Sequence, residues 1–271
     1  MIAAAPALLC FTLPAAAPDP ALMVVDAEVS SSLSGALAGK PDGPTLAALV
    51  GRLFMWRVDL RKEIERGDRV RVVYFRDPQG ELLIAAARYR SMRKGAVYDA
   101  FRFKATGDPS ASYWDGQAVE VPERLREGPL RSYDQITALL KDRPTHKGMD
   151  FKAAVGTPVY AHRAGTINRV NWKRSGNGNC LEIRFRDGTL AKYLHLSAVH
   201  RRPGQPVRPG DHVASTGNTG HSTAPHLHYQ LERGQRTIDP LDYHGTFRRT
   251  LPPEDREAFA RTVKQLGPRL E

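Results

Sequence analysis

Gly and Pro recur every few residues between Ile136 and Tyr243, and this punctuation constrains the fold more than any other feature of the chain. Short strands separated by turn signals are typical of an all-β architecture. Asp187-Gly188 lies between two strand-like runs and is the strongest hairpin signal in the sequence. We therefore predict a β-domain over residues 131–245.

The segment before this domain has a different pattern. A short helix is predicted around Leu33 and Leu37, and apolar residues at helical spacing predict a second helix from Thr45. Alternating apolar residues then predict three strands, near residues 70–74, 82–87 and 97–103. Residues 21–130 are therefore expected to form a small α+β accessory domain without catalytic chemistry of its own.

The C-terminal tail, residues 246–271, follows the β-domain. Phe259, Val263 and Leu266 share one face of an amphipathic helical pattern there. We expect this helix to pack on the accessory domain or to cap the β-domain. The predicted fold class of the whole chain is α+β.

Residues 1–20 are apolar and Ala-rich, and they end in small residues as an export leader does, although they lack basic residues at the start. Either these residues are an atypical leader or the true start of the protein lies upstream. We expect export to the periplasm or cell envelope. The chain has no run of about 18 apolar residues, so no membrane-spanning segment is predicted.

The net charge of +11 suits an anionic partner. Arg and Lys are spread along the chain, and no aromatic-rich basic motif accompanies them. A solvated basic surface is therefore favoured over nucleic-acid binding.

All nine histidines lie between residues 146 and 244. Strand alternation places His226 and His228 on one face of a strand, and it places Tyr193 and His195 on a shared face of the hairpin strand. Apart from His146, the other five are interpreted as surface or hydrogen-bonding residues: His162, His200, His212, His221 and His244.

His146 and Asp150 are separated by Lys147-Gly148-Met149. In a straight strand this spacing spans roughly 13 Å, which is too far for both side chains to reach one ion. We therefore predict a bend or bulge at Gly148.

Two imidazoles and one carboxylate with an open fourth position are the pattern of a catalytic zinc site. Such a zinc ion lowers the pKa of its bound water towards about 7. Histidines outside the cage could take a proton from that water and pass one to a leaving amine. The implied chemistry is hydrolysis of an amide bond.

Three segments together resemble the signatures of the lysostaphin/LytM-type zinc endopeptidases, which cut peptide cross-links of bacterial peptidoglycan. They are His146-Lys147-Gly148-Met149-Asp150, Tyr193-Leu194-His195-Leu196 and residues 217–228. The resemblance covers about residues 145–243 and implies a mainly antiparallel β-domain. Residues from about 45 to 130 resemble, more loosely, the accessory domain of Gram-negative cell-envelope members.

The resemblance also implies a role for each site residue. His146, Asp150 and His228 would bind one Zn²⁺ ion, and His195 and His226 would be catalytic. In such enzymes the histidine that matches His226 is the favoured general base. The histidine that matches His195 would steady the tetrahedral intermediate or the water.

Two features and two alternatives stay open. The loop before His146 is short and lacks the Arg-x-His-Pro segment of many relatives, and the N-terminal domain or the tail could occlude the site. One alternative is a non-catalytic envelope protein that binds murein or activates an amidase, although all five site residues are present. The other is a biotinyl/lipoyl-like carrier module, but no lysine is convincingly placed at a hairpin tip.

Overall fold

The structure is a computed structural model that describes residues 21–60 and 62–271. The leader predicted at residues 1–20 lies outside the described residues. Within those two ranges, no helix has the length and apolar character needed to cross a membrane.

An antiparallel five-stranded sheet forms the N-terminal part, with its strands in chain order. In sequence, its elements are β1 (Met23–Glu28), α1 (Leu33–Leu37), α2 (Gly43–Phe54), β2 (Arg69–Arg76), β3 (Leu82–Ser91), β4 (Ala96–Phe103) and β5 (Ser112–Trp114). Both predicted helices and all three predicted strands are present. Strand β1 was not predicted, and it pairs with β2 along its whole length.

The remaining elements run in chain order from residue 124 to the C-terminus. They are β6 (Arg124–Leu125), β7 (Gln135–Ala138), β8 (Met149–Lys152), β9 (Pro158–Tyr160), β10 (Gly165–Val170), α3 (Arg174–Asn177), β11 (Asn179–Phe185), β12 (Leu190–Leu196), β13 (Ala198–Val199), β14 (Pro206–Val207), β15 (His212–Ser215), β16 (His226–Arg233), β17 (Arg236–Ile238), α4 (Pro240–His244), β18 (Thr246–Phe247), α5 (Pro253–Leu266) and a final 3₁₀ turn (Gly267–Leu270).

Helices cover both faces of the five-stranded sheet. On one face, the Leu46, Val50 and Leu53 side chains of α2 are buried against the sheet at helical spacing. On the other face, Phe259 of α5 contacts Phe101 and Phe103 edge to face. The C-terminal helix is therefore present as predicted, and it packs on the sheet of the N-terminal part.

An eight-stranded antiparallel sheet carries most of the C-terminal part, in the order β14-β10-β11-β12-β16-β8-β7, with β17 paired to β16. Its inner face packs Tyr193, Tyr229 and Phe151 into one core with the three-stranded sheet β13-β15-β9. The prediction of a mainly antiparallel β-domain with α+β character overall is confirmed. Its other face carries His228 and the residues around it.

Candidate metal and catalytic site

Strand pairing sets the first two predicted metal ligands side by side. His228 of β16 and Asp150 of β8 are directly paired residues of neighbouring antiparallel strands, an arrangement that brings side chains on one face close together. His228 Nδ1 lies 2.8 Å from Asp150 Oδ1. This contact follows from the strand register alone.

His146 reaches the same point from outside the sheet. It belongs to the loop before β8, and its Nδ1 lies 2.8 Å from the Leu139 carbonyl oxygen. A carbonyl only accepts, so Nδ1 carries the hydrogen and Nε2 is unprotonated. His146 Nε2 lies 3.2 Å from Asp150 Oδ1 and, within the described residues, is buried without a hydrogen bond.

Gly148 makes this approach possible. The chain bends at Gly148 immediately before β8, as predicted from the spacing. A Cβ atom at this position would overlap the Tyr229 carbonyl oxygen and lie 2.7 Å from His228 Nε2. Glycine is therefore required here because the β16 backbone and a ligand side chain pass very close to its backbone.

The three residues fit a zinc ion. One ligand atom from each of His146, Asp150 and His228 can be chosen so that all lie within 4.8 Å of one another. Two imidazole nitrogens and one carboxylate oxygen form the donor set of a catalytic zinc site. The buried Nε2 atom of His146, which lacks a hydrogen bond, gains a partner when a metal is bound.

The electrostatics of the cluster also suit a cation. Burial alone would raise the pKa of Asp150, but the adjacent imidazoles of His146 and His228 hold it well below its usual range. Burial lowers the pKa of His146, yet the neighbouring Asp150 carboxylate raises it overall. The site thus keeps an ionised carboxylate that attracts either protons on the histidines or a metal ion.

The structure corrects the predicted orientation of the β12 side chains. Tyr193 lies in the core against Tyr229, whereas the ring of His195 lies 4.7 Å from that of His226, centroid to centroid, on the opposite face. Simple alternation predicted that Tyr193 and His195 share a face of the sheet. In the structure they lie on opposite faces. The reason is the backbone of His195, whose φ of 64° is left-handed and reverses the direction of its side chain.

Both predicted catalytic histidines are held by backbone carbonyls. His195 Nδ1 lies 2.9 Å from Thr219 O, and His226 Nδ1 lies 2.8 Å from Ala224 O. Each carbonyl requires hydrogen on Nδ1, so each Nε2 is an unprotonated acceptor. His226 Nε2 lies 4.0 Å from Asp150 Oδ1, beside the metal cluster.

Arg143 is a site residue that was not predicted from the sequence. Its Nη2 lies 3.1 Å from Asp150 Oδ2, the carboxylate oxygen that does not contact His146 or His228. The sequence feature that could have identified Arg143 as a site residue was its place in the short loop before His146. The guanidinium fixes the carboxylate plane so that Oδ1 points into the cluster.

A cavity of about 1460 Å³ adjoins the cluster. His195, His226 and His228 line one side of it, and Gly51 and Arg52 of α2 line another. The cavity is therefore large enough for several residues of a peptide.

Two of the other five histidines lie behind the sheet, away from the cluster. The Nε2 atoms of His162 and His244 lie 3.3 Å and 3.0 Å from the Tyr229 hydroxyl. Burial lowers the pKa of His162 to about 2 and that of His244 to about 4. They are neutral hydrogen-bonding residues of the core.

Comparison with known proteins shows similarity to a family of peptidases. Residues 144–240 match the model of Peptidase family M23. An uncharacterized metalloprotease of Haemophilus influenzae is 27% identical, and the match covers 80% of this chain and 47% of that protein. The peptidoglycan DD-endopeptidase ShyA of Vibrio cholerae is 25% identical over 93% of this chain and 59% of its own length.

The DD-carboxypeptidase/endopeptidase Mpg of Neisseria meningitidis is 30% identical, over 80% of this chain and 49% of that protein. The chain thus spans about half the length of the relatives it matches.

Proposed function

Residues 144–240 form a domain of peptidase family M23, and on that premise we propose that the chain is a zinc-dependent endopeptidase. Its substrate is the peptide cross-linking of bacterial peptidoglycan, in which it hydrolyses amide bonds. The observation that carries the proposal is the convergence of His146, Asp150 and His228 beside His195 and His226 at the wall of a large cavity. The names of ShyA and Mpg support the choice of substrate.

His146, Asp150 and His228 would hold the metal. A bound zinc ion supplies Lewis-acid chemistry, by polarising the scissile carbonyl and making water more acidic. Arg143 keeps the carboxylate of Asp150 oriented towards the cluster.

His226 is the proposed general base. Its Nδ1 hydrogen is committed to Ala224 O, so Nε2 accepts a proton from the attacking water. The resulting imidazolium then donates that proton to the leaving amine. The carbonyl contact also stabilises the charged form of the ring while the proton resides on it.

His195 has a different task in this proposal. Burial lowers its pKa, and the nearby His226 and His228 act in the same direction. It therefore stays neutral, with its Nδ1 hydrogen bonded to Thr219 O. Its Nε2 accepts a hydrogen bond from the water and orients it for attack.

We place the protein in the periplasm or cell envelope, where peptidoglycan is its partner. We also propose that residues 21–130 and 131–245 are separate domains. Among the described residues, α2 contributes to the cavity lining and α5 does not. We therefore propose that α2 of the N-terminal part narrows access to the site.

The test combines metal analysis with cleavage of purified cross-linked muropeptides. We expect about one zinc per chain, and loss of turnover on chelation or in His146→Ala. His226→Gln should retain zinc but lose about 10²- to 10⁴-fold in rate, because a proton-transfer group is removed. Full activity of the metal-free protein or of His146→Ala would refute the proposal.

A further inference from the structure

A second cleft, of about 680 Å³, lies at the edge of the eight-stranded sheet where β14 meets β10. Three exposed arginines line it: Arg184, Arg186 and Arg208. Within the described part of the chain, no carboxylate pairs with any of these three guanidinium groups. Asp211 is the acidic residue of the lining, and its Oδ2 accepts a hydrogen bond from the Arg208 backbone amide. The cleft therefore has an excess of positive charge.

Strand register places Arg184 on the sheet face that carries the metal cluster. Arg184 of β11 pairs with Leu190 of β12, which pairs with Glu232 of β16. Glu232 lies four residues beyond His228 on the same strand, so their side chains point the same way. Two strand spacings sideways and four residues along give a separation of roughly 16 Å between Arg184 and His228.

The acidic residues between the two places are already neutralised. Arg169 Nη2 lies 3.0 Å from Glu182 Oε2, and Lys192 Nζ lies 2.6 Å from Glu232 Oε2. These pairs leave Arg184 without an intramolecular carboxylate to bind. An external anion can therefore bind the Arg184 guanidinium without displacing an intramolecular carboxylate.

We propose that the cleft formed by Arg184, Arg186 and Arg208 is a second binding site for the polymer substrate, where it takes free carboxylates of peptide stems. This inference rests on the proposed peptidoglycan substrate. Roughly 16 Å corresponds to about five extended residues, so one polymer molecule can occupy the metal site and the arginine cleft together. The cleft would hold an insoluble substrate near the catalytic groups between cleavage events.

The experiment measures binding rather than cleavage. Full-length His146→Ala protein is incubated with purified insoluble peptidoglycan, and the bound fraction is measured by sedimentation over a range of salt concentrations. The triple substitution Arg184→Gln/Arg186→Gln/Arg208→Gln should weaken binding about tenfold or more at low salt, and high salt should reduce the difference. Replacing all three with lysine should retain most of the binding.

A control triple removes the same charge elsewhere, from three exposed arginines whose side chains form no ion pair within the described residues: Arg66→Gln, Arg90→Gln and Arg126→Gln. It should bind like the parent protein. Peptidoglycan whose carboxylates have been amidated should bind the parent and the cleft triple equally weakly. All of these comparisons use variants that unfold at the same temperature as the parent.

Several outcomes would overturn the inference. One is equal binding by the cleft triple and the control triple, which would reduce the effect to net charge. Another is unchanged binding to amidated polymer, and a third is a preference of the cleft for anionic lipid vesicles over peptidoglycan. Because the binding protein lacks a metal ligand, these results do not depend on whether the zinc-loaded wild type cleaves cross-links.

Discussion

Gly148→Ala should damage the metal site directly, because the added methyl group would meet a ligand side chain. The new Cβ would overlap the Tyr229 carbonyl oxygen and lie 2.7 Å from His228 Nε2 and 2.9 Å from its Cε1. An ordinary contact needs about 3.4 Å or more, so the loop before β8 must move away from β16 by up to about 1 Å. Overpacking of this kind costs about 1–3 kcal/mol of folding free energy.

The same shift moves His146, which lies two residues before Gly148, away from His228, because the new Cβ would press against the His228 ring. Metal sites tolerate displacements of only about 0.5 Å, so we expect zinc affinity to fall by about 10- to 100-fold, as when supporting residues are lost. Competition with a chromophoric chelator measures the affinity, and urea unfolding measures the stability. Gly176→Ala is the control, because a Cβ there meets nothing within 4 Å. Equal zinc affinity and stability of Gly148→Ala and wild type would refute the reasoning.

Two further predictions concern Arg143 beside the cluster and His244 behind the sheet. Arg143→Gln should weaken zinc binding by about tenfold, because Asp150 Oδ2 loses its cationic partner. Arg143→Lys should restore part of the loss. Equal zinc affinities of Arg143→Gln and wild type, measured by chelator competition, would contradict this role. The free energy of unfolding of the metal-free protein should fall as the pH drops from about 6.5 to 4, because unfolded histidine binds a proton and buried His244, with its pKa lowered to about 4, does not. The titration of His244 lowers the free energy of unfolding by about 2 kcal/mol at about pH 5. Between pH 7 and pH 5, the free energy of unfolding of His244→Gln, measured by urea titration, should therefore fall by about that much less than that of the wild type. An unchanged pH dependence in His244→Gln would contradict this prediction.

The sequence predicted regular structure well wherever one rule sufficed. Helical spacing located α2, and alternation located β2, β3 and β4, because each buries one continuous apolar stripe. Strand β1 was missed because Met23–Glu28 is short and mixes apolar and acidic residues, although its burial alternates in the structure. Its structure depends on the partner strand β2, which local pattern does not reveal.

The structure brings together the five residues named from the sequence, but their roles stay predictions and part of their geometry was not predicted. The spacing of His146 and Asp150 correctly required a bend at Gly148, because a strand has a fixed rise per residue. The roles of Arg143 and of the α2 residues in the cavity wall depend on contacts between distant segments. Such contacts exist only in the folded chain, so pattern alone could not supply them.

His195 shows most clearly why alternation failed inside the site. A left-handed φ of 64° is uncommon for a non-glycine residue and carries a cost of about 1–3 kcal/mol. Neighbouring contacts hold it there: Thr219 O binds its Nδ1, and its carbonyl packs so closely on Gly217 that a Cβ on Gly217 would lie 2.7 Å from His195 O. Without this reversal, His195 would point into the core beside Tyr193, and His226 would face the cavity alone. The strained residue is therefore what allows Tyr193 and His195, two positions apart on β12, to lie on opposite faces of the sheet.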